Sequence, residues 1–467
     1  MTSLSSLLQP DRGEPAHSLH LVDAKAFDAW LKGQPERVAA LIEAQRFTGK
    51  GYELAILPGN KADEWSAIVG VANMEELSPW CLAKAAERLP EGTYRLAEVQ
   101  PGPAALGWML AQYRFERYRK NSDAEGQRVL LTTEAAQIDE TVRLAEAVAL
   151  VRDLVNTPAA DLGPAELAAA IEEATSAFRP QLTVHQGEAL ARHFPCVAAV
   201  GRAAAPGREP RVAELLWGDE SHPRVALIGK GVCFDSGGLD IKPSAAMLWM
   251  KKDMGGAAHA LALARLVMAA NLPVRLHLVI PIVENAVGGD AFRPGDVLTT
   301  RAGVSVEIGN TDAEGRLILA DALALAGEGN SQIIIDYATL TGAARVALGP
   351  ELPALFSNDD ALADDLLAAG TAVADPLWRL PLWPGYADML KSEIADINNA
   401  GEGGMAGAVT AALFLQKFVA DSIPWAHLDT FAWMPAAKPG RPKGGEALGL
   451  RAGWAMLKRR YGNASAP

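Results

Sequence analysis

Cysteine is scarce in this chain of 467 residues. It occurs as Cys81, Cys196 and Cys233, and no two of these form a CxxC pair. Such a sparse and odd-numbered set suits a reducing compartment, so we expect a cytoplasmic protein. The eight histidines show no HExxH motif and no other ligand spacing. A metal site built on histidine is therefore not expected.

Long apolar runs and an excess of basic charge are also missing. No segment is long enough to span a membrane, and residues 1–15 lack the basic start and apolar core of a signal peptide. The chain has 43 Lys and Arg against 56 Asp and Glu, which gives a net charge of −13. This balance argues against nucleic acid or an anionic membrane surface as the main partner, although a local basic patch is compatible with it.

The length and the order of predicted elements indicate an α/β protein of two domains. Residues 1–132 mix short apolar strands with helices, including a helix predicted over Ala104–Lys120, and form a small α/β domain without an evident site. Residues 133–157 carry a long helical pattern. Residues 158–467 alternate buried strands with helices, which predicts a larger three-layer α/β/α domain around a mostly parallel central sheet.

The first of two charged stretches is Val225–Asp253. A short apolar strand bounded by glycine should deliver Lys230 and Asp235 to its carboxyl end, where open α/β sheets place their sites. The glycines after Asp235 let the backbone approach a ligand closely, and Lys242 follows in an extended Ile-Lys-Pro segment. Asp253 precedes an alanine-rich helix and can lie at its positive end.

The second charged stretch is Asn310–Leu323, which follows a short alternating strand and a Gly-Asn turn. Asp312, Glu314 and Arg316 occupy every second position. An extended loop would point these three side chains to one side, and an apolar, buried helix should begin at Leu317. A similar stretch, Asn121–Arg128, lacks a preceding lysine motif and a following apolar helix, so it is predicted to be a solvent loop.

Seven charged groups in an apolar crevice are costly unless the acidic ones are balanced. Divalent metal is the natural counter-ion, and four carboxylates exceed what one ion needs. Bridging carboxylates are typical of paired-metal hydrolases, with the ions roughly 3.5–4 Å apart. Lys230 could coordinate only when deprotonated, which low dielectric and neighbouring cations favour. Lys242 and Arg316 would stay charged and stabilise an oxyanion.

The motifs Gly-Lys-Gly-x-x-Phe-Asp-Ser-Gly-Gly, Ile-Lys-Pro, Met-Lys-x-Asp-Met and Asn-Thr-Asp-Ala-Glu-Gly-Arg-Leu resemble the leucine aminopeptidase family, the dinuclear cytosolic aminopeptidases. The resemblance runs from about Val151 to about Trp433. It implies that the predicted helix 133–157 links the domain 1–132 to a catalytic metallopeptidase domain 158–467. It also implies release of N-terminal amino acids from peptides, and a homohexamer.

The resemblance assigns a role to each of the seven charged residues. Metal ligation falls to five of them: Lys230, Asp235, Asp253, Asp312 and Glu314. A metal-bridging hydroxide would attack the first carbonyl, Lys242 would stabilise the oxyanion, and Arg316 would hold a bicarbonate that acts as general base. The ligand set of oxygens and one amine accepts Mn²⁺ or Zn²⁺, and Co²⁺ or Mg²⁺ are further possibilities. The free α-amino group of the substrate would bind a metal.

The resemblance further places four residues around the substrate: Met250, Thr339, Leu340 and Gly342. The Leu340 backbone would lie near the substrate, and the other three would form the side-chain pocket. A pocket of methionine, threonine methyl and glycine is apolar, so leucine and other apolar first residues should be preferred.

Two other functions fit parts of the pattern. A dinuclear hydrolase of another bond, such as a phosphoester, would use similar carboxylates, but histidine ligands and further phosphate-gripping basic residues are missing. A binding protein, for DNA or as a scaffold, could carry a silent peptidase site. The acidic net charge argues against that interpretation.

Overall fold

The computed structural model describes residues 4–120 and 126–462. Residues 121–125 of the predicted solvent loop lie outside the described residues. The chain forms two compact units, Met1–Ala149 with Ala436–Lys443, and Leu150–Pro435 with Gly444–Pro467. The division between the units falls inside one long helix. The domain boundaries expected from the sequence remain a prediction.

The first part of the chain has the following elements in order: β1 (Leu8–Pro10), β2 (His17–Asp23), α1 (Phe27–Lys32), α2 (Glu36–Ala44), β3 (Leu54–Pro58), β4 (Trp65–Val71), α3 (Ala83–Arg88), β5 (Gly92–Leu96), α4 (Ala104–Leu110), β6 (Arg128–Thr132) and α5 (Ala135–Asn156). The strands form a sheet in the order β1-β6-β5-β2-β4-β3. Its neighbouring strands are parallel except for β3 and β4.

Helix α4 is shorter than the predicted helix Ala104–Lys120, because it ends at Leu110. The Gln112 side chain explains the ending. Its Nε2 donates to the Arg128 carbonyl over 2.9 Å, and its Oε1 accepts from the Arg128 amide over 2.9 Å. Trp108 Nε1 donates to the same carbonyl over 2.8 Å. After Leu110, buried hydrogen bonds between side chains of this segment and the backbone at the start of β6 therefore replace further helical hydrogen bonds.

The second unit contains these elements: α6 (Pro164–Thr175), β7 (Gln181–His185), α7 (Gly187–His193), α8 (Pro195–Gly201), β8 (Arg211–Trp217), β9 (Arg224–Gly229), β10 (Gly231–Asp235), α9 (Ser244–Met247), α10 (Gly255–Ala269), β11 (Arg275–Asn285), β12 (Val297–Thr299), β13 (Ser305–Glu307), α11 (Glu314–Glu328), β14 (Ile333–Ala338), α12 (Gly342–Leu348), β15 (Ala354–Ser357), α13 (Asp360–Ala372), β16 (Trp378–Arg379), β17 (Ile397–Asn398), α14 (Gly407–Gln416), β18 (Trp425–Asp429), β19 (Trp433–Met434), β20 (Gly444–Gly445) and α15 (Leu450–Tyr461).

The main sheet of the second unit has the strand order β16-β15-β18-β14-β9-β11-β8-β7, and β10 pairs with β11. Its central strands β18, β14, β9 and β11 are parallel. Helices α10, α13 and α15 pack together on one face, and α8, α11 and α14 pack on the other. The prediction of a three-layer, mostly parallel α/β/α domain is confirmed. Among the described residues, no helix has the length and apolar content needed to cross a membrane.

Parallel strands bring several loops to one edge of this sheet. Lys230 directly follows β9, Thr339 follows β14, and Asp429 ends β18. The first turns of α10 and α11 begin near the same edge, at Gly255 and Glu314. Helix N-termini carry partial positive charge, which favours carboxylates there. The fold therefore collects both charged stretches at the carboxyl ends of the strands.

Candidate functional site

Lys230 lies between β9 and β10 and is fixed by backbone bonds on both sides. Its amide donates to the Tyr337 carbonyl over 3.0 Å, and its carbonyl accepts from the Ala257 amide over 2.8 Å. The buried ammonium lies 2.7 Å from Asp253 Oδ2 and 3.0 Å from Glu314 Oε1. One lysine thus joins a carboxylate from each charged stretch.

Asp235 at the end of β10 is held by two donors. Asn285 Nδ2 and the Gly237 amide each donate to Oδ1 over 2.9 Å. The second oxygen, Oδ2, lies 2.8 Å from the Lys242 ammonium, which also pairs with Asp312. Gly237 has φ +88°, and a Cβ there would come within 2.5 Å of the Asp240 carbonyl oxygen. The loop can fold this tightly only with glycine at that position.

Thr311 joins the loop after β10 to the second charged stretch. Its hydroxyl donates to the Gly237 carbonyl over 2.7 Å and accepts from the Asp240 amide over 2.8 Å. Its own amide donates to Asp240 Oδ2 over 2.7 Å. These bonds hold the two stretches together independently of the seven charged residues singled out from the sequence.

The second stretch does not stay extended, so the condition under which Asp312, Glu314 and Arg316 would point to one side is not met, and the helix begins before the expected Leu317. Glu314 is the first residue of α11, and the backbone from there to Glu328 is helical. The helix begins before Leu317 because the apolar residues after Arg316 pack into the core. This packing stabilises helical hydrogen bonding along the whole segment. Asp312 stays in the preceding turn, where its amide donates to Asn310 Oδ1 over 2.7 Å. Glu314 lies at the N-terminus of α11, where the partial positive charge of the helix favours a carboxylate.

Arg316 lies on α11, where its residue is nearly buried. Nη1 donates to the Asn399 carbonyl over 2.6 Å, and the guanidinium carbon lies 6.0 Å from the Phe414 ring centre. Nε has no hydrogen-bond partner within the described part of the chain. Burial lowers the pKa of Arg316 to about 10. A buried guanidinium with a spare donor is suited to holding an anion.

The carboxylates crowd one another. Burial, together with the charge of Asp235, raises the pKa of Glu314 to about 8 and that of Asp312 to about 6. Asp253 behaves differently, because the nearby charge of Lys230 outweighs burial and lowers its pKa. The neighbouring carboxylates likewise raise the pKa of Lys230 and of Lys242 above the ordinary lysine value, against the effect of burial. The site therefore holds more negative charge than its two lysines balance.

The donor set fits a divalent cation. Among the described residues, Asp235, Asp312 and Glu314 each offer an oxygen, and these oxygens lie within 4.8 Å of one another. Oxygen donors of this kind suit Mg²⁺, Mn²⁺ and Zn²⁺. Lys230 and Asp253 lie outside this group of three but are linked to it through the ion pair with Glu314.

A cavity of about 440 Å³ opens beside the carboxylates. Of the residues singled out from the sequence, Glu314 is the one that does not line it; the others lining it are Lys230, Asp235, Lys242, Met250, Asp253, Asp312, Arg316, Thr339, Leu340 and Gly342. Thr339 also donates its hydroxyl to Asp253 Oδ1 over 2.7 Å. The charged stretches and the predicted pocket residues thus share one cavity.

Sequence reasoning missed several residues of this cavity. Asp429 accepts from the Leu340 amide over 2.9 Å and from the Thr341 hydroxyl over 2.6 Å, so it shapes the loop after β14. Lys252 and Phe431 also line the cavity. Lys252 adjoins Asp253 within a motif and could have been found, whereas Phe431 has no local signal.

Buried carboxylates in excess, two lysines and an arginine at the edge of a parallel sheet define a metal-dependent hydrolase. Residues 149–452 match the catalytic domain of the Cytosol aminopeptidase family, and residues 18–131 match the M17 aminopeptidase N-terminal domain. The chain belongs to the cytosol aminopeptidase family and is a metal-dependent peptidase.

Similar proteins support the assignment along most of the chain. The "Probable cytosol aminopeptidase" of Leifsonia xyli subsp. xyli is 39% identical over 452 residues, 90% of each chain. The protein of the same name from Roseiflexus castenholzii is 43% identical over 377 residues, 76% of each chain. The crystal structure of the cytosol aminopeptidase from Coxiella burnetii matches with TM-score 0.92 and 44% identity, covering 97% of this chain and 99% of that one. The bottromycin maturation enzyme BotP in complex with Mn matches with TM-score 0.85 and 32% identity, covering 97% and 99%.

Proposed function

We propose that the protein releases N-terminal amino acids from peptides by means of two divalent metal ions. The group formed by Asp235, Asp312 and Glu314 carries the proposal, because its oxygens converge within 4.8 Å. The adjoining Lys230 and Asp253 extend the donor set toward a second ion. When bound, the ions lower the pKa of a water molecule toward neutrality and polarise the substrate carbonyl.

The proposed ligands divide between the two sites. Asp235, Glu314 and the side chain and backbone carbonyl of Asp312 would hold one ion. Lys230 and Asp253 would hold the other, which shares Asp235 and Glu314. Mn²⁺ or Zn²⁺ is proposed, with Co²⁺ or Mg²⁺ as alternatives. The manganese in the BotP structure supports the first choice.

Lys230 can act as a ligand only without its proton, because an ammonium has no free electron pair. Its carboxylate neighbours raise its pKa, so burial alone does not remove the proton. The charge of two cations would have to supply the opposing effect. This requirement ties the ligand role of Lys230 to metal loading.

Lys242 and Arg316 serve the reacting groups. The Lys242 ammonium lines the cavity between Asp235 and Asp312, where it would stabilise the oxyanion that forms on the scissile carbonyl. Arg316 faces the cavity with a buried guanidinium whose Nε is not engaged by any described residue. It would hold a bicarbonate ion, which has the chemistry of a general base.

The substrate would enter with a free α-amino group, which would account for exopeptidase action. Met250, Thr339 and Gly342 would receive its first side chain, with the Leu340 backbone alongside, and leucine and other apolar residues would be preferred. We also infer a cytoplasmic location, which the names of the relatives support, and a homohexamer. Elution at monomer mass from a sizing column would contradict the hexamer.

The test compares leucine p-nitroanilide with its N-acetylated copy, with added Mn²⁺, after chelation, and in a Lys242→Ala variant. We expect cleavage of the free amine alone, loss on chelation, and a loss in kcat of about 10²–10³-fold in the variant with metal content retained. If enzyme with filled metal sites cleaves no unblocked aminoacyl substrate, the aminopeptidase proposal is wrong. Activity on a phosphoester or salt-sensitive DNA binding would then indicate the alternative.

A further inference from the structure

Lys252 is a buried cation that lines the cavity. It lies on the short 3-10 turn Met250–Met254, and its residue is 4% exposed. Within the described ranges, its ammonium forms no hydrogen bond or ion pair, and it lies 5.0 Å from the Phe431 ring centre. Keeping a cation in such a place is costly, so its retention calls for a partner.

Arg345 approaches the same ring. Its guanidinium carbon lies 4.9 Å from the Phe431 ring centre, and its side chain lines the cavity. A Cβ placed on Gly342 would lie 3.6 Å from Arg345 Nη2, so the guanidinium adjoins a residue of the proposed side-chain pocket. Arg345 is exposed, and among the described residues its guanidinium forms no hydrogen bond or ion pair. Lys252, Arg345 and Phe431, here called the cationic wall, thus place two cations around one aromatic ring in the lining of the cavity.

The acidic groups near Lys252 are already engaged. Asp253 pairs with Lys230 and accepts from the Thr339 hydroxyl. Asp429 accepts from the Leu340 amide and the Thr341 hydroxyl. Neither contacts Lys252 directly, although both act on it at longer range. A carboxylate on a molecule in the cavity would supply a direct counter-ion for Lys252.

We propose that this cationic wall recognises a carboxylate on the side chain of the substrate's first residue, so that the pocket takes N-terminal glutamate and aspartate. The inference rests on the proposed aminopeptidase function and adds a substrate class to it. The methylene groups of such a side chain would pack against Met250, and its carboxylate would meet Lys252 and Arg345. Glutamine has the same shape without the charge, so the wall should discriminate against it.

The experiment measures kcat/KM for the p-nitroanilides of glutamate, glutamine and leucine with the metal-loaded enzyme. We expect the glutamate substrate to exceed the glutamine substrate by about 10- to 100-fold, which is the usual strength of a hydrogen bond to a charged group. Lys252→Met and Arg345→Met should each reduce this ratio about tenfold, mainly through KM, and Lys252→Arg should restore most of it.

Lys251→Met is the matched control. Lys251 is the neighbouring cation, but its ammonium donates to the Asn156 carbonyl over 2.6 Å and does not line the cavity. The glutamate-to-glutamine ratio should stay unchanged in this variant. Calorimetric titration of the wild-type protein with free glutamate and free glutamine gives a readout without turnover, and glutamate should bind at least about tenfold more tightly.

The two proposals fail in different ways. Cleavage of the leucine substrate with a wild-type glutamate-to-glutamine ratio at or below one would overturn the carboxylate pocket and leave the aminopeptidase in place. A second comparison uses the dipeptide Leu-Gly and its C-terminal amide. If Leu-Gly is preferred while the glutamate-to-glutamine ratio stays at one, the cations bind the C-terminal carboxylate of the peptide, and the proposal of a carboxylate pocket is wrong. Absence of all cleavage would contradict the aminopeptidase itself.

Discussion

The main sheet of the second unit holds two groups of ionisable residues that are satisfied to different degrees, one inside strands β14 and β18 and one beyond the carboxyl ends of the parallel strands. In the middle of the strands, both oxygens of Asp336 are engaged, by His427 Nδ1 over 2.5 Å and by Trp425 Nε1 over 2.7 Å. At the carboxyl ends of the strands, four carboxylates share two lysines, and the pKa of Glu314 is raised to about 8. Asp336 and Glu314 are both buried.

This difference separates structural charge from functional charge. We call a group complete when both oxygens of its carboxylate are paired. The Asp336 group meets this condition, although His427 Nε2 has no partner among the described residues. The ion pair of Arg152 with Glu446 meets it as well, because two nitrogens meet two oxygens over 3.2 and 2.9 Å. The candidate metal site is incomplete, since its carboxylates raise one another's pKa. Burial therefore identifies neither kind of group, whereas carboxylates that outnumber the cations paired with them mark the site that takes a ligand.

The largest expected effect comes from removing one carboxylate of the metal site. Asp235→Asn should reduce kcat/KM by at least about 1,000-fold, since metal catalysis is worth several kcal/mol. Metal affinity should fall more than about 100-fold, beyond the loss that outer-shell changes cause. Inductively coupled plasma mass spectrometry and leucine p-nitroanilide assays would measure both.

The matched change in the complete group is Asp336→Asn. It removes the same charge from the same sheet, but it should leave the metal content per folded chain unchanged. Equal loss of metal in the two variants would remove the distinction between the groups.

The next largest effect is expected from a substitution that removes one partner of a complete ion pair. Arg152→Met leaves Glu446 buried without its cation, which should destabilise the folded protein by about 3–5 kcal/mol. The midpoint of denaturant unfolding should fall accordingly, while kcat of the folded fraction should stay at the wild-type value. A variant of unchanged stability that lost activity would show that this pair belongs to the functional group after all.

The smallest effect is expected at His259, a neutral imidazole whose two ring nitrogens both form hydrogen bonds. Its Nδ1 donates to the Gly255 carbonyl over 2.7 Å, its Nε2 accepts from the Leu448 amide over 2.9 Å, and burial lowers its pKa to about 4. The unfolded chain takes up a proton near pH 6.5 and the folded chain does not. The contribution of His259 to the free energy of unfolding is therefore fully present above pH 6.5. It falls by about 1.4 kcal/mol per pH unit as the pH decreases from there toward 4.

His259→Gln can form similar hydrogen bonds and does not titrate. The difference in thermal midpoint between wild type and variant should therefore shrink or reverse as the pH falls from 7 to 5. Parallel pH profiles for the two proteins would contradict the assignment of a neutral imidazole.

The sequence predicted those parts of the site that are local in the chain. Lys230, Asp235 and Asp312 stand in short motifs at strand ends, and the periodicity of the strands implies where those ends meet. The start of α11 was missed, because an alternating run of charges fits an extended loop as well as a first helical turn. Packing of the apolar residues behind Glu314 decides between them.

The cationic wall could not be predicted because its members come together only in the folded chain. Lys252, Arg345 and Phe431 are separated by about 90 residues at each step, and none stands in a repeated pattern. A pocket of Met250, Thr339 and Gly342 is apolar when judged from these residues alone. The same limit applies to Gln112, whose bonds to β6 end helix α4 early.

The Thr311 bonds have a consequence for how the cell supplies this protein with cofactor. Because three hydrogen bonds of Thr311, one of them to the Asp240 carboxylate, already fasten Gly237 and Asp240 to the second stretch, the ligand loops keep their positions without help from the ions. One ion can then be exchanged for another without refolding of the chain. The metal that fills the site would then reflect the metal supply as much as the amino-acid sequence.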